Sequence, residues 1–286
     1  MTVLVTGATG NVGSVVVAEL RRRGATVRAF VRQPTERLGD DVEIAIGDFD
    51  DPASIRAALV GVDRVFLSSS DSPRKSDHEA AVIEAAADVE LMVKASTIGA
   101  QAGAPMPPFD WNGRSEGHLR RSGTPAVVLR SGFYMTNLLA VAEAVRAQQI
   151  LPAPAGEGRI AMIDPFDVGA VAAAVLTESG HDGRTYELTG PEAVGYRDVA
   201  AELSRVTGTH VEYVDVPPAA AREELVAFGM PDWLVQHLDG AFAKFRDGEF
   251  AATTDAVAVL TGRPPRTIAD FLTDHAYAFT PIAQPA

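Results

Sequence analysis

Gly7, Gly10 and Gly13, at G-x-x-G-x-x-G spacing, are the residues whose types and spacing point most directly to chemistry. They follow the apolar run Val3-Leu4-Val5 and precede a segment carrying Val12, Val15, Val16 and Leu20 at helical spacing. Glycines in a strand-to-helix turn let the backbone bend sharply and bring its N–H groups against a pyrophosphate. A helix beginning near Asn11 aims its unpaired N–H groups and the positive end of its dipole at the same phosphates. Strand, turn and helix in this order predict a dinucleotide site. A purely structural turn is the plainer alternative.

The end of the second strand bears on which dinucleotide. An acidic residue about 20 positions past the glycines would bind a ribose 2′-hydroxyl. That position is Arg32, with Arg28 on the same strand. A guanidinium can grip a 2′-phosphate with paired charged hydrogen bonds, so Arg32 predicts NADP(H) over NAD(H); a solvated strand-end arginine is the alternative. Asp48, after strand three, can accept from an adenine amino group with Phe49 beside the base, or simply serve a turn. Ser68, Ser69 and Ser70 close the next strand at the carboxyl edge, where open α/β sheets bind ligands, or form a polar turn.

Such residues need a scaffold that gathers strand ends on one edge. Strands are expected at 26–32, 63–67, 91–96, 126–130 and 186–189. Helices are expected at 11–23, 74–87, 112–121, 135–148, 164–178 and 196–207, with another capped by Asp51 and begun by Pro52. Residues 100–109, with Gly103, Pro105, Pro107 and Pro108, read as a loop over the active site, and the chain up to Gly158 as irregular. From Pro217 onward, helices bearing Phe228, Trp233, Phe242, Phe245 and Phe250 read as a small lobe, and 280–286 as irregular. The alternation predicts an α/β fold: a Rossmann-type doubly wound parallel sheet with a small, mainly helical C-terminal substrate lobe. The nucleotide domain is placed at 1–150, completed by 184–190, and the lobe at 151–286.

Composition narrows the classes further. In a chain of 286 residues, a net charge of −13 argues against nucleic acid or an anionic membrane as partner, since either would require a basic face. It has no cysteine, which excludes disulfides and thiolate nucleophiles. No metal-ligand spacing links its six histidines, no G-x-S-x-G occurs, and no apolar run is long enough to span a bilayer. The chain opens directly on a strand, so a cytoplasmic protein without a signal peptide is expected, as monomer or homodimer.

Thr6-Gly7-Ala8-Thr9-Gly10-Asn11-Val12-Gly13, Val31-Arg32, Gly47-Asp48-Phe49-Asp50-Asp51-Pro52 and Gly61-Val62-Asp63 give the first half of a family pattern. Leu129-Arg130-Ser131-Gly132-Phe133-Tyr134-Met135-Thr136-Asn137, Asp167-Val168-Gly169 and residues 186–208 continue it over nearly the whole chain. In this combination the sequence resembles the NmrA-like, atypical group of short-chain dehydrogenases/reductases, including bacterial NAD(P)H quinone reductases and triphenylmethane-type dye reductases. The resemblance implies a cofactor lying along Gly7, Thr9, Gly10, Asn11 and Val12, then Arg32, Asp48, the Ser68 region and Ser96. It also implies a substrate between the sheet edge and the C-terminal lobe, in reach of Phe133. The pattern departs from typical relatives in two places. No tyrosine begins Tyr-x-x-x-Lys, and Asn112 stands where many relatives have histidine, four residues before Glu116.

Without that proton relay, a hydride acceptor that needs no simultaneous strong acid suits the chain: a planar, conjugated, quinone-like molecule. Lys94, a charge inside an apolar strand, is a candidate catalytic residue that could hold the nicotinamide ribose or an oxyanion, or snorkel to the surface. Tyr134 could reach substrate or pack in the core; Asn112 could donate an amide hydrogen bond or cap its helix. Phe109 and Trp111 could stack on a planar substrate or anchor their loop. The alternative function is a non-catalytic NADP(H)-binding redox sensor acting through a protein partner.

Overall fold

Apolar strands that must be covered on both faces dictate a helix between most successive strands. The computed structural model, which describes residues 1–280, has that alternation through its first half. In chain order its elements are β1 (Thr2–Thr6), α1 (Gly13–Arg22), β2 (Thr26–Val31), β3 (Glu43–Ile46), α2 (Pro52–Leu59), β4 (Arg64–Leu67), α3 (Lys75–Ala85), β5 (Leu91–Thr97), α4 (Pro107–Ser122) and β6 (Ala126–Ser131). A 3-10 segment (Met135–Val141) leads to α5 (Ala142–Gln148), β7 (Ile150–Ala153), β8 (Arg159–Ile160), α6 (Pro165–Thr177), β9 (Thr185–Leu188), β10 (Val194–Gly195), α7 (Tyr196–Thr207) and β11 (Glu212–Asp215). Five helices follow: α8 (Pro218–Ala227), α9 (Asp232–Arg246), α10 (Ala256–Thr261), α11 (Ile268–Asp274) and α12 (Ala276–Phe279).

The chain forms two units from interleaved segments. Unit 1 comprises Met1–Ser131, Pro165–Leu188 and Ala256–Arg263. Unit 2 comprises Gly132–Asp164, Thr189–Asp255 and the described residues from Pro264 onward. The chain therefore leaves unit 1 after Ser131, not at 150, and returns to it with α6 and β9.

Unit 1 holds a seven-stranded sheet in the order β3-β2-β1-β4-β5-β6-β9, every neighbouring pair parallel. The strand order reverses between β1 and β4, the switch point at which ligands of such sheets bind. Val3, Leu4, Val5, Val65, Phe66, Leu67, Met92 and Val93 are fully or almost fully buried in it. Helix α1 lies against α6, and Gly169 makes this approach possible: a Cβ there would stand 2.6 Å from the Val15 side chain. Asp51 caps α2 as expected, accepting from the Ala53 N–H, with Pro52 in the first turn.

Unit 2 has two small sheets, β7 with β11 in parallel and β8 with β10 antiparallel. Leu138, Leu151, Ile160, Val199, Leu203, Phe245, Phe271 and Phe279 form its core, with Phe242 and Phe250 against it. Phe228, by contrast, is 71% exposed.

Three local expectations need correction. Helix α4 starts at Pro107, five residues before the expected start. Pro107 and Pro108 occupy its first turn, where the missing N–H costs nothing, so they begin the helix rather than prolong a loop. Residues 135–148 are a 3-10 segment followed by a short α-helix rather than one helix. Part of the stretch expected to be irregular is β7, which tolerates Pro152 because a two-stranded sheet has only edge strands. Of residues 280–286, all after Thr280 lie outside the described residues.

A Cβ on Gly13 would stand 2.1 Å from the Gly7 carbonyl oxygen, a backbone atom that cannot yield cheaply. Gly13→Ala is expected to lower stability by about 2 kcal/mol or more, read as a fall of roughly 5 °C in thermal denaturation. An unchanged melting temperature would show that the turn relaxes freely.

Candidate functional site

The glycine turn is built by close approach. Gly7 adopts φ +61°, a conformation that favours glycine, and a Cβ there would stand 3.0 Å from the Ser68 carbonyl oxygen. Gly10 N–H donates to the Gly7 carbonyl at 2.9 Å, and Ser14 N–H to the Gly10 carbonyl at 3.0 Å. Thr6 Oγ1 fastens β1 to the end of β4, accepting from Ser68 N–H at 2.8 Å and donating to the Ser68 carbonyl at 2.8 Å. The N–H groups of Thr9, Asn11 and Val12 have no partner among the described residues. Thr9, Gly10 and Asn11 are exposed and Val12 is buried at the start of α1. Such a set of backbone donors fits a pyrophosphate.

Thr6 stands beside Phe30 across the β1–β2 ladder, and Arg32 follows just past the end of β2. Arg32 is exposed, and no carboxylate among the described residues lies within ion-pair distance of it. Arg28 is engaged instead, pairing with Glu43 at 2.8 Å and donating to the Ala58 and Val60 carbonyls. Asp48 forms an Asx turn: Oδ1 accepts from Asp50 N–H at 2.9 Å. Phe49 is stacked on the His78 ring at a centroid distance of 5.5 Å, and His78 lies 3.1 Å from Asp50.

Beneath the carboxyl edge lies a buried ionic cluster. Lys94, in β5, and Glu79, in α3, are both wholly buried and 2.9 Å apart. The Lys94 ammonium also donates to the Ala95 carbonyl at 2.8 Å and to Asn112 Oδ1 at 2.9 Å. Three acceptors thus surround its three N–H groups. Asn112 Nδ2 donates in turn to the Pro108 carbonyl, so this side chain is taken up inside α4 and is not an N-cap. On its other oxygen Glu79 meets Lys75 at 3.2 Å and accepts from Ser69 Oγ at 2.9 Å. Burial would raise the Glu79 carboxyl, but Lys75 and Lys94 outweigh it and bring its pKa down to about 2. Burial also holds the Lys94 ammonium below its ordinary range despite the pull of Glu79.

A second pair stands next to it. Glu116 binds Arg130 through both oxygens, at 3.0 and 2.6 Å, and accepts from Ser96 Oγ at 2.6 Å. Ser96 is buried, its hydroxyl committed to Glu116. Phe109 and Trp111 are each only 7% exposed within α4, and a Cβ on Gly99 would meet the Phe109 ring at 2.5 Å. Phe133 and Tyr134 belong to unit 2, where Phe133 sets its ring edge against Phe245 at 5.0 Å and Tyr134 bridges to Ile163. Ser70 is exposed beyond β4.

Lys75, Glu79, the pairing of Arg130 and the linking role of Thr6 escaped the sequence reading. The signals were faint: a Lys75–Glu79 pair at i, i+4, and Asn112, Ser115, Glu116 and Leu119 on one face of a helix. Polar residues at such spacing normally mark a solvated face.

The parallel sheet, its switch point and the glycine turn define a Rossmann-type dinucleotide-binding scaffold. Residues 1–272 match the NmrA-like family, and the chain belongs to it. It is 36% identical over 282 residues to the NAD(P)H azoreductase of Xenophilus azovorans, covering 97% of this chain and 99% of that protein. It is 38% identical to the (4-alkanoyl-5-oxo-2,5-dihydrofuran-3-yl)methyl phosphate reductase of Streptomyces griseus, covering 98% and 99%. The crystal structure of an Escherichia coli NADPH-dependent quinone oxidoreductase complexed with NADPH superposes with a TM-score of 0.86 at 30% identity, covering 96% of this chain and 99% of the other.

Glu79→Gln would leave the buried Lys94 ammonium without its anion and Lys75 with only Asp71, and a loss of about 3–5 kcal/mol in urea unfolding is expected. The Glu79 pKa of about 2 in the fold lies below its ordinary 4.5. Its stabilisation, on the order of 3 kcal/mol, is therefore complete above the unfolded value and lost as pH falls through the folded one. Urea midpoints of the native protein should drop more between pH 5 and pH 3 than those of Glu79→Gln; equal slopes would remove Glu79 from that role.

Proposed function

We propose that this protein is an NADPH-dependent reductase that delivers hydride to a planar, conjugated small molecule of the quinone-like or aromatic kind. It is an NAD(P)H-dependent oxidoreductase of the atypical short-chain type and takes NADP(H) as cofactor. The observation that carries the reading is the set of N–H groups of Thr9, Asn11 and Val12 at the start of α1, without partners among the described residues, with the exposed Arg32 just past the neighbouring strand. The backbone donors suit the pyrophosphate, and the guanidinium suits a 2′-phosphate. When bound, the nicotinamide supplies the hydride. The relatives named as azoreductase and quinone oxidoreductase support an electron-poor, conjugated acceptor.

The chain's own residues favour such an acceptor for a further reason. No Tyr-x-x-x-Lys pair exists to pass a proton with the hydride, and the Lys94 ammonium is surrounded by Glu79, Ala95 and Asn112. We assign Lys94 and Asn112 to holding the sheet edge rather than touching substrate. Solvent then protonates the reduced product, which an aromatic or quinone-like anion allows because it is stabilised by delocalisation.

NADPH oxidation should be measured over a panel of quinones and azo dyes, with turnover of at least one acceptor expected. Binding of NADPH without turnover of any acceptor would favour the regulator that binds NADP(H) without chemistry. Arg32→Glu should erode the preference for NADPH over NADH by roughly 10- to 100-fold in dissociation constant. Unchanged discrimination would take Arg32 out of the 2′-phosphate role.

A further inference from the structure

Residues 68–74 join β4 to α3 with no regular secondary structure, yet they are fastened from two sides. Thr6 Oγ1 holds the Ser68 backbone against the glycine turn. From the other side Lys75 Nζ donates to the Ser69 carbonyl at 2.8 Å and pairs with Asp71 at 3.4 Å, while Ser69 Oγ donates to Glu79 at 2.9 Å. Asp71 is about half exposed at its side chain; Lys75 and Glu79 are buried. The neighbouring charges, Glu116 and Arg130, satisfy each other.

Lys75 does more than help neutralise Glu79 and pair with Asp71. Glu79 already has Lys94 as a counter-ion at 2.9 Å, and burying a second ammonium carries a desolvation cost of several kcal/mol. What Lys75 adds is the hydrogen bond to the backbone at Ser69, one residue beyond the carbonyl that Gly7 approaches. We propose that Lys75 and Ser69 are positioning residues for the nucleotide: with Glu79 they pre-order residues 68–71 as a wall against the glycine turn. A segment already fixed loses no further conformational freedom when the cofactor arrives, so the clamp acts on affinity. This rests on the NADP(H) reading above.

Lys75→Met keeps the Glu79–Lys94 pair and removes the donor to Ser69. The dissociation constant for NADPH, measured by fluorescence titration, should rise about tenfold or more. KM for NADPH should rise in parallel while kcat at saturating NADPH stays near the native value. Arg64→Met serves as the stability control. Arg64 donates to the Leu176 and Glu178 carbonyls from the start of β4, so its loss should lower the urea midpoint without moving the NADPH dissociation constant. Should Lys75→Met fail to fold, Ser69→Ala removes the Ser69–Glu79 hydrogen bond and carries the same expectation. A folded variant that binds NADPH within about threefold of native overturns the proposal and leaves the cofactor reading intact. Native protein that binds no NADPH overturns both.

Discussion

A carboxylate with no access to water cannot stay ionised unless cations and donors replace its hydration. Glu79 is such a group, and the carboxyl edge of unit 1 is arranged around it. Lys75 reaches it from the preceding turn of the same helix, Lys94 from β5, and Ser69 from the end of β4. Through Lys94 the set extends to Asn112 in α4. Two helices and two strand ends are thereby fixed by one charge.

The same edge depends on small residues for a different reason. Gly7, Gly13 and Gly169 bring backbone against backbone, or backbone against Val15, at distances no side chain permits. The amides of Thr9, Asn11 and Val12, in the turn and at the start of α1, have no partner among the described residues, as the geometry of a helix start allows. Unpaired donors at a helix start suit an anion, and under the proposed reading they would let a chain of net charge −13 receive a phosphorylated cofactor.

Among the sequence-predicted residues, the contrast between Arg32 and Lys94 is instructive. Both are cations on or next to strands of the sheet, Arg32 just past β2 and Lys94 within β5. Arg32 emerges exposed, with no carboxylate among the described residues in ion-pair reach, while Lys94 is enclosed by Glu79, the Ala95 carbonyl and Asn112. Their types and local contexts look alike in one dimension, since the acceptors around Lys94 include residues 15 to the amino side and 18 to the carboxyl side. Phe109 and Trp111 lie buried within α4 and not in a loop, because Pro107 and Pro108 act as a helix start.

The sequence alone determined the strand–turn–helix opening, the parallel α/β alternation, the cap at Asp51 and the absence of a Tyr-Lys relay. Each rests on neighbours along the chain: hydrophobic period, glycine spacing and helix-end preferences are local. Only the tertiary structure decided that the chain crosses between two units after Ser131, and that Lys75 and Glu79 lie buried rather than on a solvated helix face. It also decided that Ser96, Glu116 and Arg130 form one hydrogen-bonded group. Burial and ion pairing depend on which distant segments cover a residue, and a repeat of 3.6 residues does not say whether the facing neighbour will be water or a second charge.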